Sequence, residues 1–166
     1  MSISAAAQIL IAAVTVALLL RIAWVDFTTQ RIANRDALAI GALGAGGLAV
    51  TALQTTDWWS LALAAIVSAT FFLVLFLFWL AKKVGAGDVK LMAAAPLVAG
   101  PEGLMAFSIL LLIFAAITAF LVKNPLLLPA PTFRHYLDKL DRKGVVPFGV
   151  PIAASLIGVV FLRFWV

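Results

Sequence analysis

The sequence predicts an all-α fold, a polytopic membrane helix bundle of about six transmembrane helices, one of them short. Hydrophobic residues make up 65% of the 166-residue chain and charged residues only 11%, and the mean hydropathy is +1.17. Such a composition exceeds what a soluble core can bury. The apolar runs are long and continuous, which favours helices over the short alternating strands of a membrane barrel. We therefore expect one integral membrane domain over residues 1–166.

Six apolar segments account for the predicted helices. They cover residues 3–25, 37–53, 58–81, 89–99, 104–122 and 146–166. No basic residue precedes the first segment, so we expect it to be a retained span and not a cleaved signal. The fourth segment is rich in alanine and too short to cross ~30 Å of hydrocarbon alone. We expect it to pack inside the bundle or to form a re-entrant helix.

Residues between the segments predict where helices begin and end. Thr56 and Asp57 offer capping side chains before the third segment, and Gly100 and Pro101 predict a tight turn before the fifth. The gap at 123–144 starts with a proline-rich stretch. Apolar residues then recur at helical spacing over 133–140, which predicts a short helix on the membrane surface.

Basic residues lie in alternate gaps, and this asymmetry predicts the orientation. The gaps after the first, third and fifth segments contain Arg31, Arg35, Lys82, Lys83, Lys123, Arg134, Lys139, Arg142 and Lys143. The other side has Asp57 and Glu102 in its gaps, with Arg163 near the C-terminus. By the positive-inside rule the basic gaps are cytoplasmic and both termini face outward. The net charge of +5 is thus explained by topology, and we expect no nucleic-acid partner.

Two acidic residues stand at the predicted cytoplasmic edge of the apolar segments. Asp26 ends the first segment, and Asp88 follows Gly85 and Gly87 between the third and fourth. An acid at this depth is costly, and it normally faces the bundle interior or a water-filled cavity and has a function. The alternative is a structural role, in which each acid caps a helix or pairs with a nearby cation. The candidate cations are Arg21, Arg31 and Lys90.

The other residue types exclude several chemistries. The chain has no cysteine, which rules out disulfides, cysteine-bound zinc and thiol nucleophiles. Its single histidine, His135, leaves little for a metal site or a Ser-His triad. We therefore expect no cofactor and no metal. The remaining acids are expected to have capping or surface roles; they are Asp36, Asp57, Glu102, Asp138 and Asp141.

Three motifs in the chain resemble those of the prepilin peptidases, also called type IV leader peptidases. The sequence Gly-Ala-Gly-Asp-Val-Lys at 85–90 looks like the Gly-x-Gly-Asp motif of membrane aspartyl proteases, in the version that prepilin peptidases carry. The stretch at 26–34 resembles the first-aspartate region of that family, with Ala33 where proline is usual. The sequence Val-Pro-Phe-Gly-Val-Pro at 146–151 is similar to the family's Pro-Phe/Tyr-Gly segment.

This resemblance implies an aspartic-type endopeptidase without cofactor or metal. Asp26 and Asp88 would be catalytic, and the supporting residues of the motifs would be Gly85, Gly87, Lys90 and Asn34. The implied substrates are prepilin and pseudopilin precursors, whose basic leader is cut at the cytoplasmic face of the bacterial inner membrane.

The sequence shows neither a methylating N-terminal domain nor cysteine motifs. In this it resembles the short, peptidase-only branch of the family, which serves tight-adherence (Flp) pili. N-methylation is then not implied. Two alternatives remain outside the protease class. One is a small membrane transporter or channel that uses Asp26 and Asp88 as ion or proton sites. The other is a catalytically silent assembly factor. Membrane lipid is the remaining expected partner, and the oligomeric state stays open.

Overall fold

The computed structural model describes residues 3–125, 137, 138, 140 and 146–165, and this part of the chain is helical without strands. The five helices are α1 (Ile3–Thr29), α2 (Asn34–Thr55), α3 (Trp58–Leu80), α4 (Ala86–Lys123) and α5 (Gly149–Trp165). The first four are long and apolar enough to cross a membrane, and α5 is a shorter apolar helix. The predicted all-α membrane bundle is confirmed.

The start of α3 follows from local side-chain chemistry. Helix α2 ends where Thr56 adopts a left-handed φ of 60°, and α3 begins two residues later. Oδ1 of Asp57 accepts the backbone N–H groups of Trp59 at 3.1 Å and Ser60 at 3.3 Å. These donors have no partner within the helix, so the carboxylate stabilises its first turn. The predicted cap is confirmed.

Helix α4 consists of two arms that meet at Gly100. This residue has φ 68° and ψ 168°, and Pro101 follows it without an N–H to continue the helical hydrogen bonds. Met92 and Leu111, which lie on opposite sides of the turn, line the same cavity, so the arms run back alongside each other. The arms at 86–99 and 101–123 correspond to the predicted fourth and fifth segments. The sixth predicted segment corresponds to α5.

The first arm of α4 forms the centre of the bundle. Its buried residues include Leu91, Ala95 and Val98, and α4 packs against α2, α3 and α5. A Cβ at Gly44 of α2 would lie 2.6 Å from the carbonyl carbon of Leu97, so only glycine allows this approach. The expectation of a short helix inside the bundle is confirmed.

Arg163, the basic residue at the other end of the bundle, lies beside the turn at Gly100. Its Nη2 lies 3.4 Å from the carbonyl oxygen of Ala99 and donates a hydrogen bond to it. The carbonyl groups that end a helix carry partial negative charge, which a cation near them stabilises. Arg163 therefore stabilises the end of the first arm of α4.

The outer surface of the bundle is apolar and aromatic, as expected of a surface in lipid. Along α3 the exposed residues include Phe72, Phe76 and Phe78. Leu137 and Leu140 are buried together with Val122, and Phe27 packs against this cluster. Most of the predicted surface helix at 133–140, His135 included, lies outside the described residues.

Candidate active site

Asp26 and Asp88 line one cavity of about 860 Å³, although 62 positions separate them in the sequence. Much of the cavity wall is apolar, and it includes Leu75 of α3 and Met92 and Leu111 of the two α4 arms. Since the helices alternate in direction, the ends of α1 and α3 and the start of α4 meet here. The structure thus brings together the two acids on which the sequence analysis centred.

Asp26 is buried, with 4% of its surface exposed, and lies inside the last turns of α1, which continues to Thr29. The backbone N–H of Gly149 donates a hydrogen bond to its Oδ2 at 2.8 Å, and the N–H of Val150, which donates to the carbonyl oxygen of Pro147 at 3.3 Å, also acts on this carboxyl group. Both donors belong to the first turn of α5, where free N–H groups and the helix dipole favour an anion. The N-terminus of α5 thus holds this carboxyl group.

Gly149 allows this contact because it has no side chain. A Cβ at this position would lie 2.7 Å from both Cγ and Oδ2 of Asp26 and 2.9 Å from its Cβ. Gly149 was not among the supporting residues that the motifs predicted. The signal for it was present, since Gly149 is the glycine of the Pro-Phe/Tyr-Gly segment.

Asp88 has a different environment. It is the third residue of α4, after Gly85, whose extended backbone (φ −68°, ψ 142°) precedes the helix. Within the described part of the chain its carboxyl group accepts no hydrogen bond, and the charge that acts on it is that of Asp26. A Cβ at Gly85 would lie 2.9 Å from Oδ2 of Asp88. Gly85 therefore leaves room for this carboxyl group.

The two aspartate motifs also contact each other. A Cβ at Gly87 would lie 2.9 Å from the Cβ of Ile32, so the two turns approach as closely as glycine permits. Nζ of Lys90 donates a hydrogen bond to Oδ1 of Asn34 at 2.5 Å. Gly85 and Gly87 line the cavity, whereas Lys90 and Asn34 do not. The latter two join the start of α2 to the start of α4.

Ala33, the departure from the family pattern, keeps the backbone that proline would favour. It is the residue before α2 and has φ −71° and ψ 141°. The proline ring fixes φ near −65°, so this turn has the same geometry with either residue. The departure leaves Asn34 in place to accept its hydrogen bond from Lys90.

Of the candidate cations, Arg21 pairs with another acid and Lys90 with Asn34, whereas Arg31 lines the cavity without forming an ion pair with either aspartate. Nη1 of Arg21 lies 2.8 Å from Oδ1 of Asp36, and Nε of Arg35 lies 3.8 Å from the same oxygen. Asp36 is only 5% exposed, so the expected surface role for it is wrong, although it does lie in the first turn of α2. It is a buried acid paired with arginine. Neither Asp26 nor Asp88 forms an ion pair with a residue that the structure describes.

Comparison with known proteins gives one match. The sequence model of the type IV leader peptidase family matches residues 13–122, which is more than half of the chain. The matched range contains both aspartates and the Gly-x-Gly-Asp motif, whereas Gly149 lies beyond it. Neither the curated proteins nor the solved structures gave a match.

Proposed function

The chain belongs to the type IV leader peptidase family, and from this premise we propose that it is an intramembrane aspartic endopeptidase with Asp26 and Asp88 as its catalytic pair. The observation that carries the proposal is the shared cavity, which both carboxyl groups line. Each acid lacks a cationic partner among the described residues, and the charge of Asp26 acts on Asp88. This arrangement suits two groups that share a proton.

Two carboxyl groups can hydrolyse a peptide bond without a metal or a covalent intermediate. One, as carboxylate, takes a proton from water while the water oxygen attacks the carbonyl carbon; the other, protonated, donates its proton to the carbonyl oxygen. The resulting diol collapses as the C–N bond breaks. The first group gives its proton to the leaving amine, the second recovers one from the diol, and the pair returns to its starting state.

The proposed substrate is a prepilin-type or pseudopilin precursor, a single-span protein with a short basic leader. The cavity lies at the end of the bundle that carries Arg31 and Lys83, and both of these residues line it. Under the positive-inside rule this end faces the cytoplasm, with the termini on the other side of the bacterial inner membrane. Cleavage there would separate a leader in the cytoplasm from an apolar span in the bilayer.

Co-expression with such a precursor tests the proposal. We expect wild-type protein to shorten the precursor, as seen by immunoblot and intact mass, and Asp26→Asn or Asp88→Asn to leave it uncut. For the Flp peptidase-only branch, the mature N-terminus should carry no methyl group. Ion or proton transport by the purified protein in vesicles, without cleavage of any precursor, would favour the transporter instead.

Cysteine labelling tests the proposed orientation cleanly, because the chain has no native cysteine. Thr56→Cys and Glu102→Cys should react with an impermeant maleimide added outside the inner membrane. Arg31→Cys and Lys83→Cys should react only after the membrane is opened. The reverse pattern would place the cavity on the outer face and contradict cytoplasmic cleavage.

A further inference from the structure

The two aspartates of the cavity differ in what faces them, and this difference assigns their roles. We propose that the N-terminus of α5 keeps Asp26 as the charged base, that Asp88 carries the proton, and that Gly149 is the positioning residue on which this division depends. The inference rests on the aspartic mechanism proposed above. It adds the order in which the two carboxyl groups act.

The hydrogen bond from Gly149 favours the charged form of Asp26. A backbone N–H can only donate, so Oδ2 of Asp26, 2.8 Å away, is the acceptor, and a carboxylate accepts such a bond more strongly than a neutral carboxyl group does. The carboxyl group is almost fully buried, and a buried charge must be compensated. No cation provides this compensation among the described residues, whereas the first turn of α5 offers N–H groups and the positive end of its dipole.

Among the residues that the structure describes, Asp88 has no comparable donor. The other described titratable groups that line the cavity are Asp26 on α1, Arg31 after α1 and Lys83 before α4, and α5 contributes none. Arg31 and Lys83 form no ion pair with Asp88. Two carboxylates close together do not both ionise readily, so the shared proton stays on the group without compensation. Water therefore gives its proton to Asp26, and Asp88 gives its own to the carbonyl oxygen.

Gly149 makes this arrangement sensitive to a single methyl group. An alanine Cβ would lie 2.7 Å from the carboxyl carbon of Asp26, so either the carboxyl group rotates away or α5 shifts. Both movements weaken the hydrogen bond at Oδ2. Gly158, further along the same helix, is a matched control, because its Cβ would meet only the flexible end of Leu110, at 2.8 Å.

The first test compares Gly149→Ala with Gly158→Ala. We expect Gly149→Ala to lower kcat by about 100-fold, since a small displacement of a catalytic group has effects of that order, with KM nearly unchanged. Gly158→Ala should keep both constants within about 3-fold. A Gly149→Ala enzyme with normal kcat, or with a raised KM alone, would overturn the positioning role. Equal losses in both variants would do the same.

The second test separates base from acid by residual activity. The amide that Asp88→Asn introduces can still donate a hydrogen bond to the carbonyl oxygen, whereas the amide that Asp26→Asn introduces cannot take a proton from water. Asp88→Asn should therefore cleave at least about 10-fold faster than Asp26→Asn, although both are severely impaired. Equal cleavage rates in the two variants would contradict the assignment, and this includes the case in which both rates are at background. A faster Asp26→Asn enzyme would also contradict it.

A third measurement needs no cleavage and so stands apart from the proposed function. If the carboxyl group is what excludes a side chain at 149, Gly149→Ala should lower the melting temperature in wild type and not in an Asp26→Gly background. The coupling between the two positions reports their contact directly. The same loss in both backgrounds would show that Gly149 acts through other neighbours and would overturn the inference.

Discussion

Asp26 and Asp36 are buried to nearly the same extent and lie at the same end of the bundle, yet their carboxyl groups contact different partners. Asp36 is 5% exposed and pairs with Arg21 at 2.8 Å. Asp26 is 4% exposed, faces the cavity and accepts a hydrogen bond from the backbone N–H of Gly149 at the start of α5. A guanidinium group therefore compensates the charge of Asp36, whereas Asp26 has a backbone donor and no cationic partner among the described residues.

This difference shows that burial alone does not identify a functional acid in a membrane protein. A carboxylate paired with arginine is held in one position, which suits a structural link between α1 and α2. A carboxylate held on one side by a helix N-terminus can still exchange a proton with a molecule in the cavity. The two acids are therefore distinguished less by how deeply each is buried than by what each carboxyl group contacts and whether it faces the cavity.

The largest expected effect comes from the acids of the cavity. Asp26→Asn and Asp88→Asn should each reduce precursor cleavage by about 10⁴-fold or more, because members of a catalytic unit act together. The protein should still insert and accumulate, since an amide nearly preserves the shape. The double variant should be no worse than the more impaired single one. Near-normal cleavage by Asp26→Asn would remove Asp26 from the catalytic pair.

Asp36→Asn should affect stability instead of chemistry. Loss of the carboxylate leaves Arg21 unpaired, and because that side chain is 48% exposed the cost should be about 1–2 kcal/mol, below the ~3–5 kcal/mol of a fully buried pair. This corresponds to a fall in melting temperature of about 2–8 °C. Cleavage per folded enzyme should change by less than ~3-fold, because Asp36 does not line the cavity.

The double variant Arg21→Met with Asp36→Leu is the control for this ion pair. Removing both charges should cost less stability than removing one, because no charge is left without a partner. A loss of cleavage in Asp36→Asn as large as that in Asp26→Asn would end the distinction between the two buried acids.

Gly87→Ala tests how closely the two aspartate motifs must approach. Its Cβ would meet that of Ile32 at 2.9 Å, so the turns before α2 and α4 must separate. We expect cleavage to fall by about 10-fold, less than for the acids themselves, because both carboxyl groups remain and are only displaced. Gly46→Ala, whose Cβ meets nothing within 4 Å, should cleave normally. Comparable losses in both variants would show a general cost of replacing glycine.

The smallest effect is expected at Asp57, an exposed acid at the other end of the bundle. The hydroxyl group and backbone N–H of Ser60 lower the pKa of Asp57 below its usual value. Its folded pKa is thus below its unfolded one, so this cap adds stability above about pH 4 and loses it as the pH falls further. The melting temperatures of wild type and Asp57→Asn should differ slightly at pH 7 and converge in acid. A difference that grows in acid would contradict this sign.

Much of the fold could be predicted because a membrane imposes local rules. A spanning helix must be apolar over its length and must pair its own backbone groups, so hydropathy alone marks each helix. The turn at Gly100 and the cap at Asp57 were likewise visible, since glycine, proline and aspartate act on their own neighbours. Asp26 and Asp88 were chosen from motifs and from the cost of an acid at the edge of hydrocarbon.

Only the tertiary structure decided which groups the acids contact. The bond from Gly149 to Asp26 spans 123 positions, and that from Lys90 to Asn34 spans 56. The sequence could not show that Arg21 pairs with Asp36, because the two residues are 15 positions apart and belong to different helices. Composition and periodicity act within a helix, whereas the charge state of a buried acid depends on which other helix ends beside it.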